Sequence, residues 1–316
     1  MTEQIYNIFL YFDNKEVCAR VGYKTHEFSG SDADALKLLR ANLEADLSHA
    51  SILQLDKPFT RAEYTANQRL GQGHFLIEQL FQESGAGPTP LFVITPVVKG
   101  SLHFNHTTGV EPLDMNHISA KMGARGTMPD WLVKYTTPEG IDLPSLIHDD
   151  YFLAIKLMFK EQLYVSAMKL LVSCIDSVAY IEFGDQPGTS VFAKWLDAYA
   201  DLSPLGITGS ELWELRNGLL HMTSLNSKKV LASKERRISF RVGGDASFAT
   251  AEAGVYYFEF KALIDAFSMA LGRWISSYNN DRSKFPKFVE RYDQTISDSR
   301  LAIAHAGSAG GSAAGP

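Results

Sequence analysis

The sequence predicts a mainly α protein in which an α+β N-terminal domain precedes a C-terminal helical bundle with a small β-hairpin. Two observations carry this prediction. Apolar and polar residues alternate near the start of the chain, as is typical of strands, whereas apolar residues recur at helical spacing for more than 30 residues after Ile147. A length of 316 residues is enough for two ordinary domains, and we place the boundary between residues 145 and 146. The hydrophobic content of 45% is normal for a globular protein.

The N-terminal domain, residues 1–145, begins with two predicted strands. Ser31 is a suitable N-cap for the helix that follows, and the glycines at positions 71 and 73 interrupt a second helix. The predicted elements are strands over residues 4–12 and 16–23, helices over 31–47 and 61–83, and a strand over 91–94. Residues 95–145, rich in Gly, Pro and His, predict irregular structure. No motif identifies the role of this domain, for which we expect sensing or regulation through a protein trigger or inhibitor.

The C-terminal domain, residues 146–305, is predicted to be helical. Asp149 and Asp150 are expected at a helix N-terminus, where acidic side chains interact favourably with the helix dipole. Thr208, followed three residues later by Glu211, predicts a capping box. The other predicted elements are a helix over 189–199, a hairpin of residues 237–241 and 255–260, and a helical region over 261–300 with a break at 285–286. Residues 306–316, rich in Gly, Ser and Ala, predict a linker.

Three features predict a cytoplasmic protein. Cys18 and Cys174 are too few for a disulfide framework, which suits a reducing compartment. The N-terminus lacks the basic region of a signal peptide. The most apolar stretch, residues 163–183, contains three charged residues and therefore predicts a buried helix rather than a membrane span. We expect no membrane partner.

The charge distribution favours a local rather than a global contact with nucleic acid. A net charge of −6 argues against a protein that binds nucleic acid over its whole surface. The segment from Ser227 to Arg241 is strongly basic, and two explanations stay open: attraction of RNA, or a solvated turn and edge strand whose lysines discourage aggregation. The candidate substrate-binding residues are Lys228, Lys229, Lys234, Arg236 and Arg237.

The most informative motif is Arg216-Asn217-Gly218-Leu219-Leu220-His221, which ends an otherwise apolar helix. An arginine and a histidine are costly to bury in such a helix unless they have partners or a function. Arginine supplies a permanent charge on a planar group suited to phosphate, and histidine can exchange a proton near neutral pH. The two side chains are the minimum required for cleavage of a phosphodiester without a metal.

This Arg-Asn-x3-His pattern resembles the Arg-polar-x3-His signature of the HEPN superfamily of α-helical domains. The resemblance covers residues 146–305 and does not extend to residues 1–145. It implies a HEPN-like bundle with metal-independent endoribonuclease activity, typical of toxins and phage-defence effectors. It also implies a homodimer through the motif helices with a composite active site, RNA (including tRNA) as the substrate, and no metal or cofactor. Arg216, Asn217 and His221 would be the catalytic residues.

Helical geometry limits how these three side chains can meet. Residues five apart are separated by about 140° around an ideal helix, so Arg216 and His221 are expected on different faces unless Gly218 permits a distortion. Asn217 and His221 are four apart and share a face. Asn217 is therefore expected to hold the imidazole or to contact the phosphate.

A partner for Arg216 is expected among the acidic residues. Asp176, in the preceding long helix, is the candidate supporting residue for a catalytic arginine. In a purely structural role, Arg216 would pair with Glu211, Glu214 or Asp176, and His221 would simply end the helix.

Other interpretations of the sequence remain open. The chain could be a non-catalytic HEPN module that dimerises or binds nucleotides or proteins, or an unrelated helical scaffold. A second Arg-x4-His segment, from Arg69 to His74, contains two glycines and predicts a loop or a broken helix. A loose metal-ligand spacing, more often found in polar loops, involves His103, His106, Glu111, Asp114 and His117.

Overall fold

A computed structural model of the chain divides into two compact units. The first comprises Met1–Gly140 together with Arg300–Pro316, and the second comprises Ile141–Ser299. The described residues are 2–103, 113–121, 126–127, 129–137, 140–187, 190–221, 225, 227–244, 254–295 and 303–304. The predicted linker over residues 306–316 lies outside them.

A five-stranded mixed sheet forms the centre of the first unit, with the strand order β3-β2-β1-β4-β5. Its strands are β1 (Glu3–Phe12), β2 (Val17–Phe28), β3 (Ser51–Thr60), β4 (Leu91–Val98) and β5 (Ser101–Leu102). β1 lies antiparallel to β2 and parallel to β4. The three predicted strands are confirmed, whereas β3 was not predicted. Lys57 and Pro58 interrupt its pattern, and a proline is tolerated there because β3 is an edge strand.

Helices cover both faces of this sheet. Ile5 and Phe9 of β1 point to one face, which packs on α1 (Asp32–Ala41) and α2 (Leu43–Ser48). The opposite face, which carries Tyr6, packs on α3 (Arg61–Arg69), a 3₁₀ turn over Gly73–Ile77 and α4 (Glu78–Glu83). The predicted break in the second helix is confirmed.

The first predicted helix of this unit is correct at its start and wrong in its continuity. Ser31 caps α1 by accepting a hydrogen bond from the backbone N–H of Asp34. The helix then ends at Asn42, whose side-chain amide donates to the carbonyl of Leu38 and competes with the helical backbone. Residues 31–47 therefore form two helices rather than one.

The region predicted to be irregular contains short elements. They are α5 (Met115–Lys121), β6 (Gly126–Thr127), α6 (Trp131–Tyr135), β7 (Thr136–Thr137) and β8 (Gly140–Ile141). β6 pairs antiparallel with β11 (Ile303–Ala304). The side chain of Arg69 is buried and paired with Asp130, which lies just before α6. A buried ion pair thus ties this region to α3.

Helices build most of the second unit. They are α7 (Leu143–Ile147), a π-helical turn (His148–Phe152), α8 (Leu153–Lys160), α9 (Tyr164–Phe183), α10 (Val191–Tyr199), a 3₁₀ turn (Ser203–Leu205), α11 (Gly209–His221), α12 (Lys228–Leu231), α13 (Phe260–Asn280) and α14 (Lys284–Tyr292). Two strands, β9 (Ile238–Arg241) and β10 (Tyr256–Glu259), complete the unit. The prediction that the C-terminal half is mainly helical is confirmed.

α9 is the central helix of this unit. By length and composition it is the one helix among the described residues that could cross a membrane, and half of its most apolar window is buried. Near its end, Glu182 accepts hydrogen bonds from Tyr199 of α10, Trp274 of α13 and Lys284 of α14. This partly buried carboxylate therefore joins four helices.

Three details of the second unit differ from the predictions. Asp149 and Asp150 lie inside the π-helical turn and not at a helix start, because Asp142 and Pro144 begin the helix about two turns earlier. β9 and β10 pair in parallel and do not form a hairpin, since the 242–255 connection is long enough for a crossover. The last helical break is at Asp281–Ser283, because Pro286 is tolerated in the first turn of α14.

Candidate active site at the end of the motif helix

The start of α11 fixes the position of the motif. The predicted capping box is confirmed: the Thr208 hydroxyl accepts from the backbone N–H of Glu211, and the Glu211 carboxylate accepts from the backbone N–H of Thr208. Most of α11 is buried, but a partly exposed stripe at helical spacing runs along it. The stripe consists of Trp213, Arg216, Asn217 and Leu220, and it ends at the exposed His221.

Asp176 of α9 holds the guanidinium of Arg216. Its Oδ2 atom accepts a hydrogen bond from Nε of Arg216 at 2.5 Å and lies 2.5 Å from Nη2 of the same ion pair. The side chains are 19% exposed for Arg216 and 25% for Asp176, so the pair can be reached from solvent. Of the three acidic residues considered for Arg216 in the sequence, Asp176 is the one that pairs with it.

The other end of the guanidinium contacts both remaining motif residues. Nη1 of Arg216 donates to Oδ1 of Asn217 at 3.0 Å and lies 3.2 Å from Nε2 of His221. The two side chains therefore meet although their positions are about 140° apart around the helix. The length of the arginine side chain permits this contact, and α11 continues through Gly218.

Asn217 does not hold the imidazole, the first of its two expected contacts, and its contact with the phosphate stays a prediction. Its oxygen is bound to Arg216 rather than to the imidazole. Arg216 is thus the centre of the group, and both Asn217 and His221 are oriented by it.

Burial sets the charge state of the cluster. It raises the pKa of Asp176 above the usual value for an aspartate, and the positive charge of Arg216 and the neighbouring His221 lower it in part. The carboxylate is therefore more readily protonated in acid than an exposed aspartate.

Trp213 is a member of the site that the sequence analysis missed. Its ring lies under the Arg216 guanidinium, with 4.9 Å between Cζ and the ring centroid, and it also contacts Phe192. The signal was present in the sequence, because residues three apart on a helix share a face. Asp176 and Trp213 together fix the guanidinium from two directions.

Two of the five predicted substrate-binding cations are engaged by buried carboxylates. Nε of Arg236 donates to Glu211 at 2.8 Å, and the Arg236 guanidinium also lies over the ring of Tyr256. Nζ of Lys229 lies 3.2 Å from Glu214. These two cations fasten the basic segment to α11, and their charge is largely compensated.

The other three cations differ in exposure. Lys228 and Lys234 are exposed and have no ion-pair partner within the described part of the chain, whereas Arg237 is partly buried. Lys234 and Arg237 line an open depression of about 520 Å³ beside α12. Lys228 and Lys234 are therefore the residues of the segment whose charge is most available to a ligand.

The loose metal-ligand pattern falls largely outside the description. His106, Glu111 and the side chain of His117 lie outside the part of the chain that the structure describes. Within the described ranges, no group of three His, Cys, Asp or Glu side chains could hold a metal ion. The second Arg-x4-His segment is broken as predicted, because Arg69 ends α3 and His74 lies in a 3₁₀ turn.

No protein-family model, no curated protein and no solved structure matches this chain. The cluster formed by Asp176, Arg216, Asn217 and His221 is therefore the feature from which a function can be inferred.

Proposed function

We propose that this chain is a metal-independent endoribonuclease of HEPN type that cleaves RNA by attack of the 2′-hydroxyl. The observation that carries the proposal is the contact between Arg216 and His221 at a solvent-accessible end of α11, with Asp176 anchoring the arginine. A fixed guanidinium beside an imidazole supplies the two groups that this chemistry needs.

In the proposed reaction, the 2′-oxygen attacks the phosphorus atom and its proton passes to a general base. The bond from phosphorus to the 5′-oxygen breaks, and that oxygen takes a proton from a general acid. The products are a 2′,3′-cyclic phosphate and a 5′-hydroxyl. Arg216 stabilises the charge that develops on the phosphorane oxygens.

One chain has a single imidazole in this cluster, whereas the reaction uses a base and an acid. We therefore propose a homodimer in which the partly exposed stripe of α11 faces its copy across a two-fold axis, so that two copies of His221 share one composite site. Trp213 and Leu220 supply the apolar part of that stripe.

The biological part of the proposal is a cytoplasmic toxin or phage-defence effector that acts on RNA, including tRNA. Both cysteines, Cys18 and Cys174, are free and buried, which is consistent with a reducing compartment. The first unit would then bind the trigger or inhibitor that regulates cleavage.

The test is RNA cleavage in EDTA by the wild type and by His221→Ala, on tRNA and total RNA, with analysis of the new ends. We expect cuts that end in a cyclic phosphate and a loss of about 10²–10⁴-fold in the variant. His49→Ala, which changes an exposed histidine of the first unit, is the matched control and should cleave normally. Equal cleavage by wild type and His221→Ala contradicts the proposed site. A dimer that does not cleave points to the non-catalytic HEPN binding module.

A further inference from the structure

The hydrogen bonds of the cluster determine which ring nitrogen of His221 carries a proton. A guanidinium has five N–H donors and no acceptor. In its contact with Nη1 of Arg216 at 3.2 Å, Nε2 of His221 can therefore only be the acceptor, and it carries no proton. The neutral imidazole then has its proton on Nδ1.

Asn217 is oriented by the same guanidinium. Its Oδ1 atom accepts from Nη1 of Arg216 at 3.0 Å, which fixes the amide so that the two N–H groups of Nδ2 are left for another partner. Within the described residues, no hydrogen bond uses Nδ2 of Asn217 or Nδ1 of His221.

The acceptor atoms of Asn217 and His221 are already used. Nη1 of Arg216 contacts Oδ1 of Asn217 and Nε2 of His221, while Oδ2 of Asp176 accepts from Nε and forms an ion pair with Nη2. The unused polar groups on these three motif side chains are therefore N–H donors. They belong to Nη2 of Arg216, Nδ2 of Asn217 and Nδ1 of His221.

We infer that Arg216, Asn217 and His221 of one chain form a receptor for a phosphoryl anion, in which His221 is a hydrogen-bond donor through Nδ1 and not the general base. A group of donors without a free acceptor binds phosphate oxygens and cannot take a proton from the 2′-hydroxyl. The inference rests on the proposed function in identifying the anion with the scissile phosphate of RNA.

In this assignment, the two copies of His221 in the composite site have different roles. The imidazole that stays bound to its own Arg216 holds the phosphate, and the base must be an imidazole whose Nε2 has left the guanidinium. A site that holds two equivalent histidines before RNA binds therefore becomes asymmetric when RNA is bound.

The tautomer can be measured directly by NMR of the full chain labelled with ¹⁵N in histidine, at about pH 8, where an ordinary imidazole is neutral. Two-bond correlations in the ring show which nitrogen is protonated, and the His221→Gln variant assigns the signal among the nine histidines. We expect an unprotonated Nε2 before and after addition of inorganic phosphate, with a shift of the Nδ1 signal on addition. A proton on Nε2 in either state overturns the inference.

The donor role of Asn217 is tested with Asn217→Asp, which keeps an oxygen for Arg216 and removes both N–H donors. We expect the affinity for inorganic phosphate to fall at least about tenfold, while Nε2 of His221 stays unprotonated. Asn279→Asp makes the same chemical change on the exposed surface of α13 and should leave phosphate binding unchanged. Unchanged binding in Asn217→Asp overturns the receptor, and thermal unfolding verifies that each variant is folded.

Failure of this inference and failure of the proposed function are distinguishable. If the wild type does not cleave RNA but shows the expected tautomer and phosphate shifts, the nuclease proposal fails and the receptor stands. If RNA is cleaved while Nε2 is protonated, only the receptor assignment fails.

Discussion

Two clusters in this molecule each contain an aspartate, an asparagine and a histidine but have different roles. In the first unit, Oδ2 of Asp46 accepts from Nδ2 of Asn7 at 2.6 Å and contacts Nε2 of His26 at 2.7 Å. In the second unit, Asp176 also belongs to a cluster with an asparagine and a histidine, but an arginine stands between them. The first cluster fastens α2 to the sheet, and the second leaves its donors at the surface.

Burial explains the difference. Asn7 is fully buried and the Asp46 side chain is 6% exposed, so the central contact of that cluster lies inside the fold and its His26 side chain alone is partly exposed, at 24%. The Asp176 side chain is 25% exposed, about four times as much as that of Asp46. Both of its contacts described above are with the guanidinium of Arg216. A cluster that is closed on itself stabilises the fold, whereas one that is open on one side can bind a ligand.

The largest expected difference between the clusters is in stability. Asp46→Ala leaves Asn7 and His26 without their buried partner and should lower the free energy of unfolding of the first unit by about 2–4 kcal/mol. Asp176→Ala, at a more exposed ion pair, should cost less than about 1 kcal/mol. Hydrogen exchange of the backbone amides of β1 and α11 reports each unit separately. Asp34→Ala, at an exposed ion pair, is the control, and equal losses at Asp46 and Asp176 would remove the distinction.

The second difference is in pH dependence. Because burial raises the pKa of Asp176, acid protonates this residue before an ordinary aspartate and releases Arg216. Cleavage should therefore fall as the pH drops through the raised pKa. Over the same range, the contribution of Asp176 to the free energy of unfolding should increase. The folded chain binds this proton more tightly than the unfolded chain, so protonation stabilises the fold.

Asp176→Asn separates the two effects. We expect cleavage reduced by about 10–100-fold and no longer sensitive to pH over that range, because the side chain is neutral throughout. The measurement is a pH–rate profile of both proteins on one RNA. A variant that keeps the acid fall of the wild type would show that another group causes it.

The smallest expected effect concerns the basic segment. Lys228 and Lys234 are exposed and form no ion pair among the described residues, so changing both to Ala should reduce the salt slope of RNA affinity by about 1.4, at about 0.7 per cation for single strands. Lys229→Ala should change it by less, because Glu214 already compensates that charge. Fluorescence anisotropy of a labelled oligonucleotide bound to the His221→Ala protein gives both slopes. Identical slopes would mean that the segment does not contact RNA.

The sequence predicted the elements whose signals are local. The capping box at Thr208 and the cap at Ser31 each depend on four consecutive residues, and both are present. The parallel pairing of β9 with β10 and the edge strand β3 were missed, because pairing partners are set by the rest of the fold and not by the alternation of side chains.

The residues of the candidate site could be predicted from the sequence, but the contacts between them could not. The motif and Asp176 could be selected from residue types. The contact between Arg216 and His221 depends on the rotamer of a long side chain, and the angle between two positions on a helix does not determine that rotamer. The pairing of Arg236 with Glu211 was hidden for a similar reason, since it joins residues 25 positions apart.

The position of β1 between β2 and β4 has a consequence for synthesis on the ribosome. β1, β2 and β3 can form a meander as soon as residue 60 has left the exit tunnel, but β4, the parallel neighbour of β1, begins only at residue 91. At ~5–20 residues per second, the apolar edge of β1 stays uncovered on the order of seconds. During that time the uncovered edge of β1 can pair with strands of other chains and cause aggregation. A chaperone that binds apolar strands would act at this stage.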